Sequence, residues 1–148
     1  MKIGFGCDHA AIDLKHELIE YMIEKGYECI DYGTDYDENG DIIKCDYPDK
    51  GHEVGKAVAS GEVDYAVLMC GTGIGISMAA NKVKGVRAAV CSEPYSAAMT
   101  KRHNNSNIIA FGSRVVGDEL AKSILDAFFD AEFEGGRHQR RVDLIEEV

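Results

Sequence analysis

No apolar run in the 148 residues approaches the roughly 20 consecutive positions that a membrane-spanning helix needs, so a membrane role is not expected. The opening MKIGFGCDH runs straight into alternating core sequence, without the apolar stretch and small-residue cleavage site of a secretory signal. Basic residues are in deficit, 16 Lys and Arg against 26 Asp and Glu, and a net charge of −10 excludes general affinity for nucleic-acid phosphates. Only two prolines accompany 16 glycines, so the glycine excess is not linker; it points to backbone held close to a ligand or in unusual dihedrals. The five cysteines (7, 29, 45, 70, 91) are odd in number, widely spaced and free of any C-x-x-C, which disfavours a disulfide framework or a zinc site. The five histidines form no H-E-x-x-H or other ligand-like pair. Reduced thiols, a cytoplasmic setting and no metal are the expectation.

What is present is one domain's worth of alternating elements, with no internal repeat. Ile3 to Cys7 reads as a strand, and Ala11, Leu14, Leu18 and Met22 then recur with helical period until Gly26. Tyr27 to Tyr32 is a second strand, followed by one long acidic loop from Thr34 to Asp46. Asp46 and Pro48 open a helix that runs to about Ser60. Asp64 to Cys70 is near-continuously apolar, as in a strand covered on both faces. GTGIG leads into a helix at Ile76 to Lys82, Val86 to Cys91 is a strand, and Tyr95 to Arg102 a short helix. Ile108 to Phe111 is the fifth strand and Leu120 to Phe129 an amphipathic helix. This alternation predicts a doubly wound, three-layer, Rossmann-like α/β sandwich on a five-stranded parallel sheet. Residues 1–133 form that domain. Residues 134–148, charged and Arg-bearing, form a C-terminal arm of the same domain, with packing on a dimer partner as its simplest role and a solvated helix as the alternative.

In open parallel sheets, ligands bind outside the carboxyl ends of the strands. Four stretches fall there: Cys7-Asp8-His9, Cys70 to Gly75, Ser92-Glu93 and Gly112-Ser113-Arg114. In Cys70-Gly71-Thr72-Gly73-Ile74-Gly75, alternate glycines let successive N–H groups converge on a phosphate, carboxylate or oxyanion. A plain tight turn is the alternative. A P-loop is excluded because no Gly-Lys-Ser/Thr follows. A dinucleotide fingerprint has some support, since Glu93 stands where a ribose-binding acid would, but G-x-G-x-G is the wrong spacing and there is no second domain. Cys70, beside converging N–H groups, is placed to serve as nucleophile or proton acceptor, unlike Cys29, Cys45 and Cys91, which read as structural. His103, followed by Asn104, is a proton-transfer candidate or a solvated loop histidine. His9 binds or shuttles protons, or else Asp8 merely caps a helix. Arg137 and Arg141 are one helical turn apart and can grip a phosphate or pair with surface acids; Arg114 is the better single anion ligand.

Taken together, GCDHAA at 6–11, DYP at 46–48, CGTGIGISMAANK at 70–82, RAAVCSEPYSA at 87–97, HNNSN at 103–107, FGSRVVG at 111–117 and EGGRHQRRV at 134–142 resemble the ribose-5-phosphate isomerase B family, which includes galactose-6-phosphate isomerase subunits. The resemblance runs through nearly the whole chain in order; the acidic stretch Asp35 to Lys44 looks longer than is usual. It implies cofactor-free aldose–ketose isomerisation of ribose 5-phosphate and ribulose 5-phosphate through an enediolate. A phosphorylated hexose is the alternative substrate, and a non-catalytic nucleotide- or phosphate-binding module the alternative class. By resemblance Cys70 is the base, although some members use a glutamate elsewhere. Thr72 and the N–H groups of Gly71, Gly73, Ile74 and Gly75 hold the oxyanion. His103 assists ring opening, Asp8 and Asn104 contact hydroxyls, and His9, Arg114, Arg137 and Arg141 bind the phosphate. The resemblance also implies a homodimer with shared sites, with pairing into tetramers left open.

Overall fold

A computed structural model describes all 148 residues as five strands and six helices. They are β1 (Lys2–Cys7), α1 (Ile12–Glu24), β2 (Glu28–Asp31), α2 (Tyr47–Ala59), β3 (Tyr65–Cys70), α3 (Ile74–Ala80), β4 (Ala88–Val90), α4 (Pro94–Asn104), β5 (Ile108–Gly112), α5 (Asp118–Phe129) and α6 (Arg137–Glu146). The strands pair in parallel in the order β2-β1-β3-β5-β4. No helix is long and apolar enough to cross a membrane.

The two-residue period of the strands sorts their side chains onto two cores. Ile3, Phe5, Val67, Met69, Ile109 and Phe111 meet α1 and α5 on one face. Ala66, Leu68, Cys70, Ile108 and Ala110 meet α2 and α3 on the other. Each large side chain buried this way contributes roughly 1.5–3 kcal/mol. The arm 134–148 carries α6, which packs on α4, and Glu146 there pairs with Arg87 at 2.6 Å.

Three of the boundaries that differ from the sequence reading bear on the site. α3 starts at Ile74 rather than Ile76, because Gly73 takes φ of +79° and turns the chain straight into the helix. β4 spans three residues rather than six, since as an edge strand it pairs only with β5. α4 runs on to Asn104, which puts His103 in its last turn rather than in a loop, and Asn105 ends it at φ of +48°.

The acidic segment after β2 is a fastened hairpin rather than an open loop. Tyr36 and Ile42 form an antiparallel bridge, and Thr34 Oγ1 donates to the Ile43 carbonyl at 2.7 Å. At its base the fully buried Lys15 reaches from α1 to Asp31 at 2.7 Å, the Thr34 carbonyl at 2.8 Å and Asp35 at 3.3 Å. His16 bonds Asp35 at 2.8 Å, and that bond, with Tyr36 N–H and Lys15, holds the Asp35 carboxyl down at about 2.

Lys101 on α4 is only 5% exposed, and its Nζ has no hydrogen-bond partner. It lies 3.3 Å from the centroid of the Tyr65 ring, a cation–π contact that offsets part of the burial cost. Burial, aided by Arg87, pushes its pKa down to about 8. Above pH 8 the unfolded chain therefore binds more protons than the folded one, and stability rises with pH until the ordinary lysine value is reached. Lys101→Met is expected to raise stability at pH 7, with the gain shrinking as pH climbs from about 8 towards 10.4. Urea unfolding at both ends of that window measures it; a gain independent of pH would show that the ammonium is not the cause.

Candidate active site

The strand order reverses between β1 and β3, because β2 lies to one side of this pair and β5 and β4 to the other. A crevice at the carboxyl ends of strands opens at such a reversal. Asp8-His9 leaves β1 and Cys70 to Gly75 leaves β3 at this point, with Cys7 paired to Met69 and Asp8 N–H donating to the Met69 carbonyl at 3.2 Å.

A third turn, after β5, is bonded to both. Ser113 N–H donates to the Cys70 carbonyl at 2.9 Å, and Arg114 N–H to the Gly71 carbonyl at 3.1 Å. Ser113 Oγ also donates to the Ala10 carbonyl at 2.8 Å. Contact is so close that a Cβ on Gly112 would stand 2.5 Å from Thr72 Cα. Only glycine fits there.

Cys70 is 5% exposed, and its Sγ accepts the Gly73 N–H at 3.1 Å. An anionic sulfur accepts such a bond more strongly than a neutral thiol does. Thr72 Oγ1 accepts the Ile74 N–H at 3.2 Å, whereas the N–H groups of Gly71, Thr72 and Gly75 have no acceptor within the chain. These unengaged donors belong to the turn that follows the thiol and suit an oxygen that gains negative charge. The Arg114 guanidinium lies against Gly71, and the Tyr47 ring against Gly75. Asp8 Oδ1 accepts the Ala10 N–H at 2.9 Å and closes its own turn; it does not cap α1, whose N-cap is Ala11 with no side-chain bond, and its second oxygen remains for a ligand. His9 is exposed, with Nδ1 3.3 Å from the Cys45 carbonyl.

The remaining candidates lie elsewhere in the chain. Asn107, just past α4, accepts the Ala66 N–H at the amino end of the sheet, and Cys70 is four strand steps, about 13 Å, further along. His103 and Asn104 therefore sit at the opposite edge from Cys70. Exposed Arg137 and Arg141 share α6, which packs beside them on α4. His103 stacks on His138 with centroids 4.3 Å apart, and Burial, with His103 and Arg137 nearby, keeps His138 below the usual imidazole range. One chain thus brings Asp8, His9, Cys70, Gly71, Thr72, Gly73, Ile74, Gly75 and Arg114 together, and groups His103, Asn104, Arg137 and Arg141 apart from them.

Glu93 does not await a ribose. Its carboxylate caps α4 by accepting the Ser96 N–H at 2.9 and 3.0 Å, which also holds its pKa down. Sequence reasoning had no role for the Ser113 hydroxyl, for Tyr47 over Gly75, or for Glu134 and His138 beside His103. The spacing of Glu134 and His138, one helical turn, was the available signal for the last pair.

A doubly wound parallel sheet whose reversal point carries a thiol, unengaged N–H groups and a guanidinium defines a phosphate- and oxyanion-binding α/β enzyme. Residues 3–145 match the family model described as Ribose/Galactose Isomerase, and the chain belongs to that family. It is 56% identical to ribose-5-phosphate isomerase B of Escherichia coli K12 over 97% of this chain and 93% of the relative. The structure of Clostridium thermocellum ribose-5-phosphate isomerase B superposes with a TM-score of 0.93 at 51% identity, covering 99% of this chain and 96% of that one. Ribose-5-phosphate isomerase B of Mycoplasma genitalium, solved with bound ribulose 5-phosphate, matches with a TM-score of 0.89 at 41% identity, over 98% and 93% of the two chains.

Proposed function

We propose that the chain interconverts ribose 5-phosphate and ribulose 5-phosphate, with Cys70 as the base. The observation that carries this assignment is the Cys70 thiol, 3.1 Å from the Gly73 N–H, inside a turn with three further N–H groups unengaged. Full-length kinship with ribose-type isomerases favours the pentose over a phosphorylated hexose. The binding-module alternative loses its acid, since Glu93 is committed to a helix cap.

In the open-chain aldose, the Cys70 thiolate removes the C2 proton and the electron pair moves to the carbonyl oxygen, giving the enediolate. The C2 hydroxyl proton passes to the C1 oxygen, Cys70 returns its proton to C1, and the C2 oxygen becomes the ketose carbonyl. The unengaged N–H groups of Gly71, Thr72 and Gly75 hold the developing oxyanion, while those of Gly73 and Ile74 are spent on Cys70 Sγ and Thr72 Oγ1; losing one such donor typically costs about 10²–10³ in rate. His103 donates a proton to the furanose oxygen on ring opening. Asp8 and Asn104 take sugar hydroxyls. His9, Arg114, Arg137 and Arg141 hold the phosphate, whose remote binding energy orients the reacting carbons.

These roles need two chains, because the Cys70 and His103 groups stand at opposite edges of one. A homodimer with two shared sites is therefore the assembly proposed. Ile74 and Met78, one turn apart on α3, are exposed with Tyr95 and Val115, and Met78 and Tyr95 reach 63% and 74%. Such an apolar surface suits a partner. Residues 1–133 with the arm 134–148 make one folding unit whose arm faces that partner, and the five free cysteines accord with a cytoplasmic setting.

Proton NMR of ribose 5-phosphate with the protein in D2O tests the reaction. The ketose should appear with solvent deuterium at C1. Absence of ketose at high enzyme concentration would overturn the isomerase assignment.

A further inference from the structure

Arg87 stands immediately before β4, and no step of the reaction uses it. Its main chain is pinned first. Arg87 N–H donates to Asn107 Oδ1 at 2.8 Å, Asn107 N–H to the Arg87 carbonyl at 3.1 Å, and Asn107 Nδ2 to the Gly85 carbonyl at 2.9 Å. From that base the guanidinium reaches two helices. Nε and Nη2 both donate to the Asn105 carbonyl, at 3.0 and 2.9 Å, and Nη1 donates to Glu146 Oε1 at 2.6 Å.

Asn105 closes α4, whose last carbonyls have no partner inside the helix, and a cation there also meets the negative end of the helix dipole. Glu146 is the last residue of α6. One guanidinium therefore joins the end of α4 that carries His103 and Asn104 to the far end of the helix that carries Arg137 and Arg141. The near end of α6 is joined to α4 separately: Glu134 N–H donates to the Arg102 carbonyl at 3.0 Å, and His138 stacks on His103. α6 has ten residues and is about 15 Å long. Held at both ends it cannot pivot. Held at the near end alone, it would swing Arg141 further than Arg137. A lysine cannot replace the fork, because one ammonium does not span a carbonyl on one helix and a carboxylate on the other.

We propose that Arg87 is a positioning residue of the isomerase: it fixes His103 and Asn104 against Arg137 and Arg141, so that the ring-opening group and the phosphate grip form one rigid half of the shared site. This role rests on the isomerase assignment; the fastening of α6 does not.

Arg87→Met, Arg87→Lys and Glu146→Gln in the full-length protein test it, with circular dichroism and gel filtration to confirm fold and assembly. Glu146→Gln releases α6 alone. It should raise KM for ribose 5-phosphate about tenfold, near the worth of one hydrogen bond to a charged group, and leave kcat unchanged. Arg87→Met releases both helices, so KM should rise at least as far and kcat should fall about 10²-fold, the cost of a small displacement. Arg87→Lys should fall between the two. Ribulose 5-phosphate carries its phosphate on the C5 oxygen and closes no furanose, so exchange of its C1 proton with D2O bypasses ring opening. At saturation that exchange should keep its wild-type rate in all three variants. Exchange falling in step with kcat would make Arg87 a general structural residue and overturn the proposal. So would an unchanged kcat and KM in Arg87→Met, or an unchanged KM in Glu146→Gln. Should Arg87→Met fail to fold, Arg87→Lys and Glu146→Gln decide on the same terms.

Amide hydrogen exchange reads the fastening without any turnover. Residues 137–146 should lose protection in Arg87→Met and Glu146→Gln while residues 70–80 keep theirs; unchanged protection of 137–146 would overturn the proposal. Lost protection there, in a protein whose wild type neither converts ribose 5-phosphate nor exchanges ribulose 5-phosphate, would instead sink the isomerase assignment and leave the fastening standing.

Discussion

Cys70→Ala should lower kcat by at least about 10³-fold, within the range that general acid–base groups supply. KM should stay near its wild-type value, because the proposed phosphate ligands are arginines and His9 and not the sulfur. The fold should survive. Removing the thiol leaves the buried Gly73 N–H without its acceptor, a cost of about 1–3 kcal/mol, against a typical domain stability of about 5–15 kcal/mol. The unengaged donors at Gly71, Thr72 and Gly75 remain, so a residual rate from oxyanion stabilisation is expected rather than zero. Steady-state kinetics beside a thermal melt separate the cases. A folded variant with near-normal kcat would remove Cys70 from the base position, and a KM raised with kcat unchanged would make it a binding residue only.

Two inactive proteins should make an active one. Cys70→Ala and His103→Ala, denatured together at equal amounts and refolded, should regain about a quarter of wild-type turnover. Half of the dimers formed at random are mixed, and each mixed dimer has one doubly substituted site and one intact site. Cys70 ends β3 opposite Gly112, whereas His103 lies before β5 begins, so no rotamer change joins them within one chain. Recovery near zero, with each variant shown to be dimeric, would place both residues in the same chain's site.

The order of the elements was legible from periodicity, because strands buried on both faces and amphipathic helices leave separate marks in the sequence. The strand-end rule then found the Cys70 turn, Asp8-His9 and Arg114 without any family knowledge. What stayed hidden depended on contacts distant in the chain. Lys15 looks like any helix-surface lysine, yet it is fully buried, because Asp31 and Asp35 return to it from β2 and the segment beyond. Glu93 stood at the spacing of a ribose ligand, but a proline follows it and the local helix start claimed its carboxylate. The separation of His103 from Cys70 is a property of sheet topology, since α4 must run back along the sheet before β5 can begin. Resemblance named both residues as partners in one reaction, and only the fold shows that a single chain keeps them apart.

The fastened hairpin after β2 has a bearing on where the chain tolerates change in length. Its base is bolted to α1 through Lys15, and its exit carries the Cys45 carbonyl that meets His9. Between them the tip from Asp37 to Asp41 is exposed and closes on itself, with Asp37 N–H donating to the Asp41 carbonyl at 2.8 Å. Residues added at that tip lengthen a spur in solvent and leave His9 where it is. Residues deleted between Ile43 and Asp46 draw the Cys45 carbonyl away and free the imidazole to swing. Insertions at one end of a single short segment are therefore expected to be silent, while deletions at the other reach His9.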